Sequence, residues 1–128
     1  SNGIKTYNVI KFDMFLQRKF PNKNNFIDQD CYGGLYQKMI DKYNNGVRSN
    51  NEIYFKSFGT LETILIESLK FYQPEVGING PRHSKIDDPV YIIKSNDDLI
   101  LKNGYHRTLS KIIKGEKKIQ GFVLSIND

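Results

Sequence analysis

The sequence predicts an α/β chain of the α+β type, a small mixed sheet with two to three helices. Three observations predict it. Residues 99–121, LILKNGYHRTLSKIIKGEKKIQG, read as a short strand, a tight glycine turn and an amphipathic helix. Residues 119–126 set Phe122, Leu124 and Ile126 at alternate positions, the pattern of a half-buried closing strand. The composition, 38% hydrophobic with 8 Tyr and 8 Phe in 128 residues, supplies the core of a single domain and excludes wholesale disorder.

From the start of the chain, Ser1-Asn2-Gly3 reads as a cloning remnant or the start of an excised domain and is left out of fold reasoning. Tyr7, Val9 and Ile10 favour a strand over residues 6–12. The following stretch to Phe20 has no clear assignment, and residues 21–25 form a loop on composition. A helix is expected over residues 32–43, with Leu35, Met39 and Ile40 on one face and Asn44-Asn45-Gly46 ending it. Alternation of Ile53 and Phe55 with Tyr54 and Lys56 predicts a strand over residues 53–58. Thr60 then reads as the cap of a helix reaching Tyr72, apolar on most sides. Residues 73–88 carry no periodicity and read as a long loop holding Arg82 and His83, able to fold over a neighbouring site. Residues 89–93 form a strand, Ser95 to Asp98 a turn, and Leu99 to Leu101 the next strand.

The turn at Asn103-Gly104 delivers His106 and Arg107 to the start of the last helix, whose apolar side is Leu109, Ile112 and Ile113. The first N–H groups of a helix lack internal partners and lie at the positive end of its dipole, so two basic side chains there make a compact anion site, with phosphate the expected anion. Arg107 offers a planar fork for two phosphate oxygens. His106 is the candidate acid, base or phosphate donor. Gly104 admits close backbone approach. Lys102, Asn103, Tyr105 and Thr108 complete the candidate set, with a helix-surface role competing for Thr108 and a solvated helix face competing for the lysines. Arg82 and His83 are the candidates for a second cationic contact from the loop.

These same residues carry a family likeness. Asp88-Pro89-Val90-Tyr91-Ile92-Ile93, the polar turn at Ser95 to Asp98, Asn103-Gly104-Tyr105-His106-Arg107, and the strand after Gly115 resemble the ParB/sulfiredoxin superfamily over residues 88–123. The resemblance implies a nucleotide- or phosphate-binding domain of ParB-like nuclease type, drawn from a group that includes nucleotide-binding switches, DNA-acting proteins and small-molecule kinases. Asn103 stands where many relatives carry Asp, so catalysis through that carboxylate is not expected. Tyr105 occupies the place of the reactive Cys of sulfiredoxins, which removes the nucleophile for reductase chemistry. The arginine-rich signature of centromere-binding relatives and a downstream helix-turn-helix are both missing.

Other classes find no support in the motifs. Cys31 stands alone, so an intrachain disulfide and a cysteine metal cluster are excluded, and the cytoplasm is the expected location. No run approaches the ~18 apolar residues of a membrane span, and no secretory pattern opens the chain. Neither a phosphate-binding Walker loop, a dinucleotide fingerprint nor a G-x-S-x-G elbow occurs. Asp87, Asp88, Asp97 and Asp98 fit a strand entry and a hairpin turn, so no metal ligand is assigned. The net charge of +5 from 19 basic and 14 acidic residues permits polyanion binding. The leading expectation is a phosphate- or nucleotide-binding domain acting on or near DNA, from a phage or other mobile element, with a nucleotide and Mg as the candidate cofactor. A phosphotransfer or phosphodiester-hydrolysing enzyme using His106, and an interaction module with a degenerate ligand site, are the alternatives.

Overall fold

The computed structural model describes residues 9–43, 52–77 and 88–127. Within them the chain runs β1 (Val9–Lys11), α1 (Phe12–Lys19), α2 (Gln29–Tyr43), α3 (Glu52–Phe58), β2 (Thr60–Leu65), a 3-10 turn (Ile66–Ser68), β3 (Leu69–Lys70), β4 (Glu75–Gly77), β5 (Val90–Ser95), β6 (Asp98–Asn103), α4 (Tyr105–Ile113) and β7 (Lys118–Ser125). This is an α+β fold with a small mixed sheet.

The main sheet has the order β2-β7-β5-β6-β3, and β1 pairs with β4 in a separate two-stranded ribbon. The β2–β7 and β5–β6 pairs are antiparallel, whereas β5–β7 and β3–β6 are parallel. Parallel pairing requires a crossover, and the chain passes from β5 to its parallel neighbour β7 by way of β6 and α4. β5 sits at the centre with both faces covered, which is why Val90, Tyr91, Ile92 and Ile93 are an unbroken buried run rather than an alternation.

Alternate residues of the sheet feed two cores. Val90, Ile92, Leu101 and Val123 face α1, α4 and the β1–β4 ribbon, packing on Phe12, Leu16, Leu109 and Ile112. Tyr91, Ile93, Leu124 and Ile126 face the other way onto Met39 of α2 and Tyr54 and Phe55 of α3. The expected alternation of Phe122, Leu124 and Ile126 is thus the face of β7 that meets α2 and α3. α4 buries Tyr105, Thr108, Leu109 and Ile112, a stripe at i, i+3, i+4 and i+7.

Two expected elements exchange type. Residues 53–58 belong to a helix, because Tyr54 and Phe55 are adjacent and both buried while Ile53 is exposed, a pairing that a two-residue repeat does not produce. The helix expected from Thr60 to Tyr72 is instead β2, a 3-10 turn and β3, since pairing with β7 and β6 overrides the helical propensity of its Leu, Glu and Lys residues. Phe12–Lys19, without assignment on sequence, is α1, carrying Asp13 in its first turn and Arg18 and Lys19 in its last. The start of the long loop contains β4, held against β1 in register Ile10 to Val76. Residues 6–8 of the first expected strand, Asn44-Asn45-Gly46 and residues 78–87 of the loop lie outside the described residues. No helix among the described residues is long and apolar enough to cross a membrane.

Candidate anion-binding site

The site is built where β6 passes into α4. Gly104 holds φ +107°, a left-handed conformation that favours glycine, and a β-carbon there would lie 2.4 Å from Cγ1 of Val90 on β5. The glycine therefore lets the helix start press directly against the central strand. Asn103 Oδ1 accepts the Gly104 N–H at 2.9 Å, so the exposed Asn103 shapes the turn. Gly104 O accepts the Thr108 N–H at 2.9 Å and closes the first helical turn.

Two of the predicted ligand residues turn inward. The Thr108 side chain is fully buried and its hydroxyl donates to Gly104 O at 3.0 Å. Tyr105 is 5% exposed, its hydroxyl donates to Leu101 O at 3.0 Å and accepts the Tyr72 N–H at 3.0 Å, and its ring meets Phe12, Phe71 and Tyr72 edge-on. Burial holds the Tyr105 hydroxyl well above the ordinary tyrosine range, so it stays protonated as the donor to Leu101. As placed, both side chains serve the core beneath the site and do not face a ligand.

Arg107 is the half-buried cation of the first turn. Its Nη1 donates to Pro89 O at 2.6 Å and to Asp88 O at 3.2 Å, and its guanidinium carbon lies 6.0 Å from the centre of the Tyr91 ring. These contacts tie α4 to the entry of β5 through one nitrogen. No described residue accepts from Nε or Nη2, and no described carboxylate lies within ion-pair distance of Arg107. α4 has no acidic residue in its first turn and no side-chain cap, whereas α1, α2 and α3 begin with Asp13, Asp30 and Glu52. The positive end of α4 thus keeps its field, and His106 is exposed on the same turn.

Lys102 approaches from β6, on the α2–α3 side of the sheet. Its ammonium lies 5.2 Å from the centre of the Tyr36 ring, and desolvation by burial lowers its pKa from the ordinary lysine value while the charge of Glu52 opposes that shift. Glu52 also accepts from the Tyr91 hydroxyl at 3.4 Å. Tyr91 is therefore the link between the two cations, carrying Arg107 over its ring and Glu52, which feels Lys102, at its hydroxyl. Tyr36, Glu52 and Tyr91 were not in the sequence-derived set. No local signal joins them, because α2, α3 and β5 meet only through the tertiary fold.

The structure thus gathers Gly104, His106 and Arg107 at one helix start, with Asn103 shaping the turn and Lys102 nearby on the strand. Arg82 and His83 lie outside the described residues. Lys111 is engaged with Glu116 at 3.6 Å. A cavity of about 510 Å³ opens beside Tyr72 between α1 and residues 21–29, and none of the α4-start residues lines it. Among the described residues no group of three His, Cys, Asp or Glu side chains is placed to hold a metal ion.

Comparison with protein families, curated proteins and solved structures gives no match for this chain.

Proposed function

We propose that this chain is a phosphate- or nucleotide-binding domain of ParB-like type that acts on or near DNA in the cytoplasm, in the setting of a phage or other mobile element. The observation that carries the reading is Arg107. It is half-buried at the first turn of a glycine-started helix, held in place by two main-chain carbonyls, and paired with no described carboxylate. A planar guanidinium oriented through one nitrogen keeps its remaining donors for two oxygens of a phosphate, and preorganisation of this kind lowers the entropy lost on binding.

The helix dipole, the lack of acid in the first turn and the second cation at Lys102 support the same reading. Tyr36 adds a half-buried aromatic face beside Lys102, and a stacking surface next to a cation suits a nucleotide or a nucleic acid better than free phosphate. A nucleotide with Mg is the cofactor class to test first.

Thermal denaturation with a panel of nucleoside triphosphates, with and without magnesium, against the matching nucleosides tests the ligand class. The triphosphates raise the melting temperature and the nucleosides do not. Equal shifts for both sets remove the phosphate claim. DNA binding measured across salt concentrations distinguishes backbone contacts, because each phosphate neutralised steepens the salt dependence. Incubation with labelled triphosphate or DNA decides between binding and turnover. If product forms and depends on His106, replacement of His106 by Ala lowers the rate about 100-fold or more while affinity changes little.

A further inference from the structure

Among the described residues β2 lies at one end of the main sheet, paired with β7 on one side only. The direction of its backbone groups follows from two hydrogen bonds just outside the ladder. Ile66 N–H donates to Lys117 O, which fixes 66 and 117 as a hydrogen-bonded pair, and in an antiparallel ladder such pairs alternate. Thr60, Glu62 and Ile64 therefore bond to β7. Ile126 N–H donates to Lys94 O, so the even-numbered residues of β7 point toward β5 and the odd-numbered ones toward β2, in agreement. Leu61, Thr63 and Leu65 consequently turn their N–H and C=O groups away from the sheet. Among the described residues the one hydrogen bond on that side is from the Ser68 hydroxyl to Leu65 O at 2.7 Å, which leaves that carbonyl a second lone pair.

Natural edge strands are protected by Lys, Pro, bulges or covering segments. β2, TLETIL, has no Lys or Pro, its pairing with β7 is continuous over six residues, and Leu61 and Leu65 are 53% and 45% exposed. The outward-facing residues read Leu, Thr, Leu in both directions about Thr63. A strand that is the same read backwards is complementary to a second copy of itself turned by a two-fold axis, which is the requirement for a closed dimer interface.

We infer that β2 is a homodimer interface in which two copies pair antiparallel about Thr63, joining their main sheets into one. In that register Thr63 faces Thr63 of the second copy and Leu61 faces Leu65, so the three outward residues fall in hydrogen-bonded pairs that each exchange both N–H to O bonds. Side-chain faces also match. Leu61 lies beside Phe122 in the β2–β7 register, and Phe122 packs on the core under α2 and α3, so the Leu61–Leu65 contact carries that core across the seam. Charge selects this register over its neighbour. Centring the axis on Glu62 sets two carboxylates directly opposite and, like centring it on Ile64, leaves two facing hydrogen-bonded pairs in place of three, whereas centring it on Thr63 sets Glu62 opposite Ile64. Main-chain bonds carry most of such an interface and its area is small, so association is expected in the micromolar range.

The test is sedimentation velocity of the whole chain from about 10 µM to 1 mM, where an interface of this size associates. The wild type shifts from the mass of one chain to that of two. Thr63→Lys and Thr63→Pro stay at one chain mass with unchanged circular dichroism, because the Thr63 side chain is exposed and its N–H makes no bond to β7. In a Cys31→Ser background, Thr63→Cys forms a crosslinked dimer on mild oxidation, since facing Cα atoms lie about 5.5 Å apart. Leu61→Cys does not, because its equivalent lies roughly 13 Å away along the strands. A wild type that remains monomeric throughout overturns the proposal and leaves the edge to a foreign strand. A dimer that survives both Thr63 substitutions, or crosslinks at Leu61→Cys in preference to Thr63→Cys, also overturns it.

Discussion

Gly104 and Val90 meet with no space between them for a side chain, because a β-carbon at 104 would sit 2.4 Å from Val90 Cγ1. This contact sets how closely the start of α4 approaches the central strand, and with it where Arg107 reaches the carbonyls of Asp88 and Pro89. Packing and site geometry are thereby one constraint.

Gly104→Ala is expected to cost about 2–4 kcal/mol, combining a left-handed backbone with overpacking against a fully buried residue. Val90→Ala in the same chain removes the 2.4 Å contact and leaves the residue 90 β-carbon 2.8 Å away, so part of the steric cost is relieved and the double variant is less destabilised than the sum of the two single variants. Urea denaturation of the four proteins measures this. A loss below about 0.5 kcal/mol for Gly104→Ala contradicts the packing account.

Tyr105→Phe removes a hydroxyl that both donates to Leu101 O and accepts from Tyr72 N–H. The expected loss is about 1–3 kcal/mol of stability, since buried partners are left unpaired. Ligand affinity of the folded protein stays within about two-fold if this hydroxyl belongs to the core. A large loss of affinity with stability intact places Tyr105 at the ligand instead.

Lys102 titrates below the ordinary lysine value in the folded state. Its charged form is therefore disfavoured by folding, and the penalty is present in full at pH values below its folded pKa. As pH rises through that value toward 10.5, the unfolded chain holds more protons and the penalty is relieved. Lys102→Met gains most over the wild type at neutral pH, and the gain shrinks across that window. Paired denaturation curves from pH 7 to 11 read the difference, and a gain that is flat or grows with pH contradicts the desolvation account.

The segment from β5 through α4 to β7 is legible in the sequence because each signal is local. Asn103-Gly104 marks the turn, Leu109 and Ile112 fall one helical turn apart, and Phe122, Leu124 and Ile126 alternate. The exchange of strand and helix over residues 53–72 has a different cause. Leu61 and Leu65 are apolar and exposed at a sheet edge, so hydrophobicity there does not report burial and imitates an all-round apolar helix. Spacing of Phe12 and Leu16, one turn apart and both buried, was available as a signal for α1. At the site, sequence places Arg107 at the helix start, but the carbonyls that orient it and the aromatic faces of Tyr91 and Tyr36 arise only from long-range packing.

Whether Arg107 holds phosphate is decided by the melting temperatures of wild type and Arg107→Ala with and without a saturating nucleoside triphosphate. Loss of the contacts to Asp88 O and Pro89 O lowers unliganded stability by about 1–2 kcal/mol, a few degrees. Ligand at about one hundred times its dissociation constant stabilises the wild type by about 2.7 kcal/mol. With Arg107 as the phosphate ligand, this ligand-dependent increment disappears in Arg107→Ala while the variant remains folded. An increment of the same size in both proteins contradicts it, and leaves Arg107 as a structural tie between α4 and β5.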